Sequence, residues 1–190
     1  MKETQVKKII LAVAGLPGAG KSVVTEYLMK KTGWTEVYFP EPVFDEIKNR
    51  GLEVNQKNEK KIREEFRNKL GMGAFAIINL PKVKDLLKNS SVILESFYSW
   101  EEYLLFKKEF GDRFFVLAVY SSPETRTKRL AGRSYRPLEK NEVVDRDYSQ
   151  IENLHQAGPI ARADFTVINE GDENCLYGQL DKVIDTLLKK

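Results

Sequence analysis

The amino-acid sequence predicts an α/β fold in which a parallel five-stranded sheet lies between two layers of helices. Apolar runs rich in β-branched and aromatic residues alternate with segments of helical periodicity, which is the pattern of βαβ units. Five such runs lie at 9–14, 35–39, 91–96, 114–120 and 165–168. The first is continuously apolar, as a strand buried on both faces of a parallel sheet requires. Right-handed crossovers between parallel strands place helices on both faces of the sheet.

Length and composition indicate one domain, 1–190, with 42% hydrophobic and 31% charged residues. The net charge of +3 is small and the charged residues of both signs are interleaved, so the composition does not predict a nucleic-acid partner. No apolar run approaches the roughly 20 residues of a membrane span. The single cysteine, Cys175, favours a reducing compartment. Met1–Gln5 leads directly into the first strand, so we expect no signal peptide, no membrane partner and a cytoplasmic protein.

The stretch Gly15–Ser22 fits G-x-x-x-x-G-K-[ST], the phosphate-binding P-loop pattern. It lies between the first strand and a predicted helix from Ser22 to Lys31. Its glycines let backbone N–H groups point inward, and the helix N-terminus adds partial positive charge. Lys21 is expected to reach the β- and γ-phosphates, and Ser22 to ligate Mg²⁺. The predicted nucleotide-binding residues here are Gly15, Gly18, Ala19, Gly20, Lys21, Ser22 and Val23.

The region between the second and third strands, about 40–89, is predicted to be a largely helical insertion. Pro40 and Pro42 end the second strand because neither can donate to a ladder. Helices are expected over 43–50, over 55–70 with a narrow apolar stripe, and from 74, where Pro81 either kinks the helix or starts a new one.

The third strand ends in a carboxylate, Glu95, which is a Walker B pattern with Glu in place of Asp. Ser99 is a plausible N-cap for a helix over 100–110, with Glu102 three residues later. Further helices are expected after Ser122, over about 141–156 up to a break at 158–159, and over 175–188.

With these segments in place, the chain resembles the small P-loop kinases: nucleoside monophosphate kinases and, more closely, dephospho-CoA kinases. It is most similar to P-loop proteins described as adenylate-kinase-related or dephospho-CoA-kinase-like. The resemblance covers nearly the whole chain and rests on Gly15–Ser22, Glu95, Arg126–Arg136, Arg146-Asp147 and Ala163–Gly171. It implies a P-loop NTPase core that uses ATP and Mg²⁺, an insertion at about 40–89 that binds the acceptor, and a short lid at about 128–146.

Two positions depart from the patterns of these families. Dephospho-CoA kinases carry Asp-x-Asp after the second strand, where this chain has Glu41 between two prolines. The related proteins carry Asp-Gly after the third strand, where this chain has Glu95-Ser96. The acceptor site is therefore the part of the molecule that the resemblance describes least.

Phosphoryl transfer needs positive charge around the phosphates, a positioned Mg²⁺ and a carboxylate that orients the acceptor. The predicted catalytic residues are Lys21, Glu41, Glu95, Arg129 and Arg133, and the predicted Mg²⁺ residues are Ser22 and Glu95. Either Glu41 or Glu95 orients the acceptor, and Asp45 competes with Glu41. The structural alternatives are an exposed strand-end carboxylate for Glu95 and an ordinary loop glutamate for Glu41.

Arginines supply most of the predicted acceptor and lid contacts, since guanidinium binds phosphate bidentately. The predicted acceptor-binding residues are Glu41, Arg63, Arg67, Tyr98, Arg136 and Arg146. Pairing with Glu59, Glu64 and Glu65 explains Arg63 and Arg67 equally well, and a solvated basic helix face is the alternative for the lid. Arg129, Asn169 and Gly171 are expected to border the nucleotide, the last two through backbone groups, unless 169–171 is a plain turn.

These residues favour ATP-dependent phosphoryl transfer to a small phosphate-bearing or nucleotide-like acceptor, in a monomer or homodimer. The alternative is a nucleotide-binding module or slow NTPase that acts through a macromolecular partner. The acceptor, and the choice between ATP and GTP, are left open.

Overall fold

The computed structural model of the chain describes residues 7–134 and 136–189. Within these residues it contains a five-stranded sheet with the order β2-β3-β1-β4-β5, in which every neighbouring pair is parallel. The strands are β1 Ile10–Ala14, β2 Thr35–Tyr38, β3 Val92–Glu95, β4 Phe114–Tyr120 and β5 Phe165–Ile168. The predicted α/β class with a parallel five-stranded sheet is confirmed.

Helices connect every pair of consecutive strands. They are α1 Lys21–Thr32, α2 Glu41–Asn49, α3 Gln56–Leu70, α4 Ala74–Leu86, α5 Trp100–Phe110, α6 Pro123–Ala131, α7 Lys140–Glu152, α8 Ala157–Ala161 and α9 Glu173–Leu188. Three of them, α2 to α4, lie between β2 and β3, where the sequence predicts a helical insertion. Among the described residues, no helix combines the length and apolar character that crossing a membrane requires.

The side chains of β1 alternate between two apolar cores, one on each face of the sheet. Ile10 and Ala12 belong to a core built with α2, α3, α4 and α5, whereas Leu11 and Val13 belong to one built with α1 and α9. Because both faces are covered, all five β1 residues are buried. This two-sided burial is the physical reason for the continuous apolar run in the sequence.

The N-terminus of α5 carries the predicted capping box. Ser99 Oγ accepts from the Glu102 N–H at 3.1 Å, and the Glu102 carboxylate accepts from the Ser99 N–H at 3.0 Å. Glu102 is fully buried, and this burial raises the pKa of its carboxyl to about 7 although the backbone donors oppose the rise. The cap therefore places a titratable group inside the protein beneath the third strand.

Three helix boundaries differ from the sequence prediction. Helix α2 begins at Glu41 rather than at 43, because Pro42 falls in the first turn, where a missing N–H breaks no bond. Helix α4 continues through Pro81 to Leu86. Helix α7 ends at Glu152, and 158–159 lie inside the short helix α8 instead of merely breaking a longer one.

The Phe106 ring is the centre of the aromatic cluster under the sheet, and its removal is expected to be costly. It is fully buried, with the centroids of Phe39, Phe110 and Phe114 at 5.3–5.7 Å. We expect Phe106→Ala to lower the free energy of unfolding by about 3–5 kcal/mol, measured by urea denaturation. Leu104→Ala, on the exposed side of the same helix, is the control and should change it by less than about 0.5 kcal/mol. Similar losses in both variants would contradict the packing described here.

Candidate active site

The loop between β1 and α1 bends sharply, and two of its glycines are required by its surroundings. Gly18 has φ 80° and Gly20 has φ 95°, in the left-handed region that side chains disfavour. A Cβ on Gly18 would lie 2.9 Å from the carbonyl oxygen of Arg126, and one on Gly20 would lie 2.2 Å from Asn169 Nδ2. The loop is thus packed directly against α6 and against the segment after β5.

Side chains from outside the loop hold its carbonyl groups. Gln156 Nε2 donates to the Gly15 oxygen at 3.1 Å, and Arg126 Nη1 donates to the Pro17 oxygen at 3.2 Å. The Ala19 oxygen accepts from Asn169 Nδ2 at 2.8 Å and from Ser121 Oγ at 3.3 Å; all four donor residues are buried. These carbonyls are thus bonded to neighbouring elements of the fold, and the backbone N–H groups of a glycine-rich loop of this kind form an anion-binding nest.

The Lys21 ammonium lies at the start of α1 and bonds to the loop itself. Its Nζ donates to the Gly15 oxygen at 2.7 Å and to the Leu16 oxygen at 3.4 Å. The pKa of Lys21 is lowered to about 8, mainly by burial; Glu95 opposes the fall, and Arg133 and Arg146 contribute to it. The structure therefore brings these two predicted lid arginines within electrostatic reach of the loop. Such a concentration of cations favours a polyanionic ligand.

Ser22 and Glu95 meet beside this cradle. Ser22 Oγ donates to Glu95 Oε1 at 2.7 Å, because the first turn of α1 faces the carboxyl end of β3. A hydroxyl and a carboxylate are the hard oxygen ligands that Mg²⁺ prefers, with water and phosphate oxygens completing its shell. No group of three or more His, Cys, Asp or Glu is arranged to hold a metal in the described part of the chain. The pair therefore fits a Mg²⁺ that arrives with phosphate oxygens.

A second carboxyl group lies next to Glu95, and the sequence analysis did not select it. Burial raises the pKa of Glu36 to about 7, and a hydrogen bond to Glu95 adds to the rise. Glu36 is opposite Ile93 in the β2–β3 register, so it shares a face of the sheet with Glu95 two residues further along β3. With Ser22 and Lys30 it lines a cavity of about 580 Å³. Side chains alternate between the two faces along a strand, and this alternation in the second strand was the sequence signal that could have placed Glu36 beside Glu95.

Arg126 anchors the segment beneath the loop. Its Nη1 and Nη2 donate to the two Asp147 carboxylate oxygens at 2.8 and 2.6 Å, and its Nε donates to the Ser121 oxygen at 3.2 Å. The guanidinium is buried. Arginines are rarely buried unless they are paired, and Asp147 is the partner here. This bidentate pair joins α6 to α7 and supports the Pro17 carbonyl at the same time.

Arg129 and Asn169 contact each other behind the loop. Arg129 donates to Ser121 Oγ at 2.9 Å and to Asn169 Oδ1 at 3.2 Å. The Asn169 backbone groups are bonded within the protein: its N–H donates to the Tyr120 oxygen at 2.8 Å, and its carbonyl accepts from Ser121 at 2.6 Å. That Asn169 borders a nucleotide stays a prediction. Its side chain is the part that reaches the loop. Gly171 lies exposed, with open space around its Cα, and its role stays a prediction.

Arg136 and Arg63 meet at one carboxylate. Arg136 Nη2 donates to Glu59 Oε1 at 3.1 Å, and Arg63 lies 3.5 Å from Glu59 Oε2. This ion pair connects the segment after α6 with the first turn of α3. The nearby Tyr38 hydroxyl has its pKa raised to about 12 by burial, with Tyr98 and Glu95 adding to the effect. Arg63 and Arg136 thus share the Glu59 carboxylate, and Tyr98 lies within electrostatic reach of Tyr38. Their role toward an acceptor stays a prediction.

The remaining two acceptor candidates, Glu41 and Arg67, have partners of their own. Glu41 forms an ion pair with Lys82 of α4 and, with Asp45, lines a separate cavity of about 360 Å³. Arg67 packs its guanidinium 5.5 Å from the centre of the Phe75 ring, and burial lowers its pKa. The alternative for Glu41 was an ordinary loop glutamate, whereas the structure begins α2 at this residue. Its role toward an acceptor stays a prediction.

Gln156, Arg126 and Ser121 contact the loop but were not among the predicted site residues. Each lies more than 100 positions after the P-loop carbonyl that it contacts. Polar residues of these types are ordinarily exposed, and nothing in the local pattern marks them as buried. Only the fold reveals them.

The comparisons with known proteins agree with this geometry. Residues 11–153 match the model of the AAA domain. The chain belongs to this AAA domain family. A UPF0200 protein of Thermococcus kodakarensis is 31% identical over 187 residues, covering 96% of this chain and all of the relative. The chain is thereby also a member of the UPF0200 proteins.

Solved structures with the fold of this AAA domain protein include two kinases. A shikimate kinase from Bacteroides thetaiotaomicron has a TM-score of 0.59 at 13% identity. The match covers 94% of this chain and 98% of the shikimate kinase chain. A gluconokinase from Sinorhizobium meliloti has a TM-score of 0.56 at 14% identity and covers 96% of each chain. At these identities the likeness establishes a P-loop kinase-like fold. Neither dephospho-CoA kinases nor nucleoside monophosphate kinases are named by these matches, so that finer resemblance stays a prediction.

The buried Arg126–Asp147 pair should be essential for stability. We expect Arg126→Ala to lower the free energy of unfolding by about 3–5 kcal/mol, because Asp147 would then be left without its counter-charge. Adding Asp147→Ala should recover part of the loss, since the uncompensated carboxylate is removed. Urea denaturation of the two variants measures this. Lys128→Ala, which removes an exposed ion pair on the same helix, should leave the denaturation midpoint unchanged; equal midpoints for all three variants would refute the anchor.

Proposed function

We propose that this AAA domain protein transfers the terminal phosphoryl group of ATP to a small acceptor. The observation that supports this most is the convergence of Lys21, Arg133 and Arg146 on a loop whose carbonyls are bonded outward. A site of this kind binds and neutralises a polyphosphate, which is most of what phosphoryl transfer asks of a protein.

The residues around the loop divide the proposed work among them. Lys21 leaves the Gly15 carbonyl to contact the β- and γ-phosphates, while Arg129 and Arg133 balance the charge that spreads over the transferring group. Ser22 and Glu95 would hold Mg²⁺, which supplies further neutralisation of the phosphates when it is bound. Glu95 already contacts Ser22, so we assign the metal side to Glu95 and leave Glu41 as the acceptor-side candidate.

The acceptor is proposed to carry an anionic group. Arg63, Arg136 and Tyr98 lie together at the edge between α3 and the third strand, and guanidinium groups bind phosphate or carboxylate with two parallel hydrogen bonds. The sequence resemblance favours a nucleoside monophosphate or dephospho-CoA. The names of the two structural neighbours add small hydroxy acids such as shikimate and gluconate. Arg67, packed on Phe75, stays a candidate for the same group.

An exposed apolar stripe favours the second candidate function, a nucleotide-binding module that acts through a macromolecule. Val144, Tyr148 and Ile151 are 43%, 59% and 41% exposed at helical spacing on α7. This helix also carries Arg146, so a partner on the stripe would lie next to the arginines that influence Lys21. This candidate predicts basal hydrolysis without stimulation by any small acceptor.

Turnover assays with Mg²⁺ and ATP or GTP distinguish the two functions. The panel contains nucleoside monophosphates, dephospho-CoA, shikimate and gluconate, and ADP or GDP release is measured. We expect one acceptor to raise turnover at least 100-fold over basal hydrolysis, and Lys21→Ala to reduce the stimulated rate about 10²–10³-fold through lost electrostatic stabilisation. Lys182→Ala, on the exposed side of α9, is the control. Stimulated turnover that is the same in wild type and Lys21→Ala would refute the proposal.

Nucleotide affinity should fall at high pH because of Lys21. Its pKa is about 8 in the free protein, so the side chain is charged below this pH and neutral above it. A phosphate favours the charged amine, and above pH 8 binding must therefore take up a proton, which weakens affinity by up to about tenfold per pH unit. Calorimetric titration with Mg·ADP between pH 7 and 9.5 measures this decline. Lys21→Met should bind weakly with no inflection near pH 8, and an identical pH profile in both proteins would contradict the assignment.

A further inference from the structure

Gln156 is a fully buried polar side chain that the proposed phosphoryl transfer does not use directly. It precedes α8, and its backbone N–H donates to the Gln150 oxygen at 3.0 Å. Its neighbours are held as well: His155 Nδ1 contacts Glu101 Oε1 at 2.8 Å, and Gly158 lies against Trp100, where a Cβ would approach a ring carbon to 2.7 Å. The Gln156 amide is therefore held in one place against the loop.

The Gly15 carbonyl has two donors in this structure. Lys21 Nζ lies at 2.7 Å and Gln156 Nε2 at 3.1 Å. Binding a phosphate requires Lys21 to leave, and the carbonyl would then be a buried acceptor without a partner if Gln156 were absent. A buried polar group left without a hydrogen bond costs about 1–3 kcal/mol.

Gln156 gives up a hydrogen bond to stay in this position. Because its partner is a carbonyl, its amide must present the NH₂ group to Gly15, and Gln156 Oε1 is buried without a hydrogen-bond partner among the described residues. An apolar side chain of the same size would avoid this orphaned oxygen. In the free protein the second bond to Gly15 is redundant, because Lys21 is already there. The arrangement becomes useful when Lys21 has moved.

We propose that Gln156 is a positioning residue that keeps the Gly15 carbonyl bonded when Lys21 moves to the phosphates, so that this buried acceptor is never left without a partner. The inference rests on the proposed binding of a nucleotide at this loop. It assigns Gln156 to the bound state: its loss should weaken the complex and leave the free protein intact.

The binding test compares two glutamine-to-methionine variants. Gln156→Met keeps the side-chain size and removes the donor; we expect it to bind Mg·ADP about 5- to 100-fold more weakly than wild type, as measured by calorimetry. Gln150→Met is the matched control, since Gln150 is also a buried glutamine with an unpartnered Oε1 but does not contact the loop. Its affinity should equal that of wild type. Wild-type affinity in Gln156→Met would overturn the proposal.

The stability test separates a positioning role from a merely structural one. In the free protein, Gln156→Met should leave Tm unchanged or raise it, because Lys21 still covers Gly15 and the orphaned oxygen is gone. In the Lys21→Met background the same change should lower Tm, since the carbonyl then loses both donors. Equal Tm losses in the two backgrounds would show a structural role only. These melting curves need no nucleotide, so they test the exchange even if the proposed function fails.

Discussion

The outward bonding of the P-loop carbonyls is the constraint on which the site depends. Every residue of this loop carries a backbone acceptor and every residue except Pro17 a backbone donor, and each of these groups that is buried must be paired. Here α6, the segment after β5 and the residue before α8 supply the partners for Gly15, Pro17 and Ala19. Backbone N–H groups of the loop are then the groups that an anionic ligand can contact. The elements from β4 onward bring these partners to the loop.

The charges around the loop are arranged in two opposed groups. Burial and the neighbouring cations lower the pKa of Lys21 to about 8, whereas burial, a hydrogen bond to Glu95 and the charge of that carboxylate raise the pKa of Glu36 to about 7. Both effects store electrostatic free energy in the free protein. A bound polyphosphate would stabilise the charged form of Lys21, and a bound divalent cation would stabilise the charged forms of Glu36 and Glu95. Ser22 follows Lys21 in the chain and donates to Glu95, so it lies between the two groups in the sequence of contacts.

The fold and the donor side of the site could be predicted from local sequence, and the acceptor side could not. The P-loop pattern and its flanking strand and helix are contiguous, so Lys21, Ser22 and their neighbours followed directly from it. Glu95 followed from its position at the end of an apolar run. Glu41 was selected by the same logic, yet it pairs with Lys82, because a helix that starts at 41 turns that side chain toward α4. Asn169 was placed correctly at the sheet edge, but which of its atoms face the loop depends on hydrogen bonds to β4.

The sequence by itself determined the five strands, their parallel arrangement, the phosphate-binding loop and the two residues suited to Mg²⁺. These properties depend on contiguous stretches of sequence, because hydrophobic periodicity and backbone conformation are set by neighbouring residues. Only the tertiary structure decided which buried polar side chains support the loop: Gln156, Arg126 and Ser121 come from positions far along the chain. The free-energy cost of burying these polar side chains is offset by hydrogen-bond partners that lie far from them in the sequence. A local pattern shows which groups a segment offers, and the packing of distant segments decides which of those groups meet.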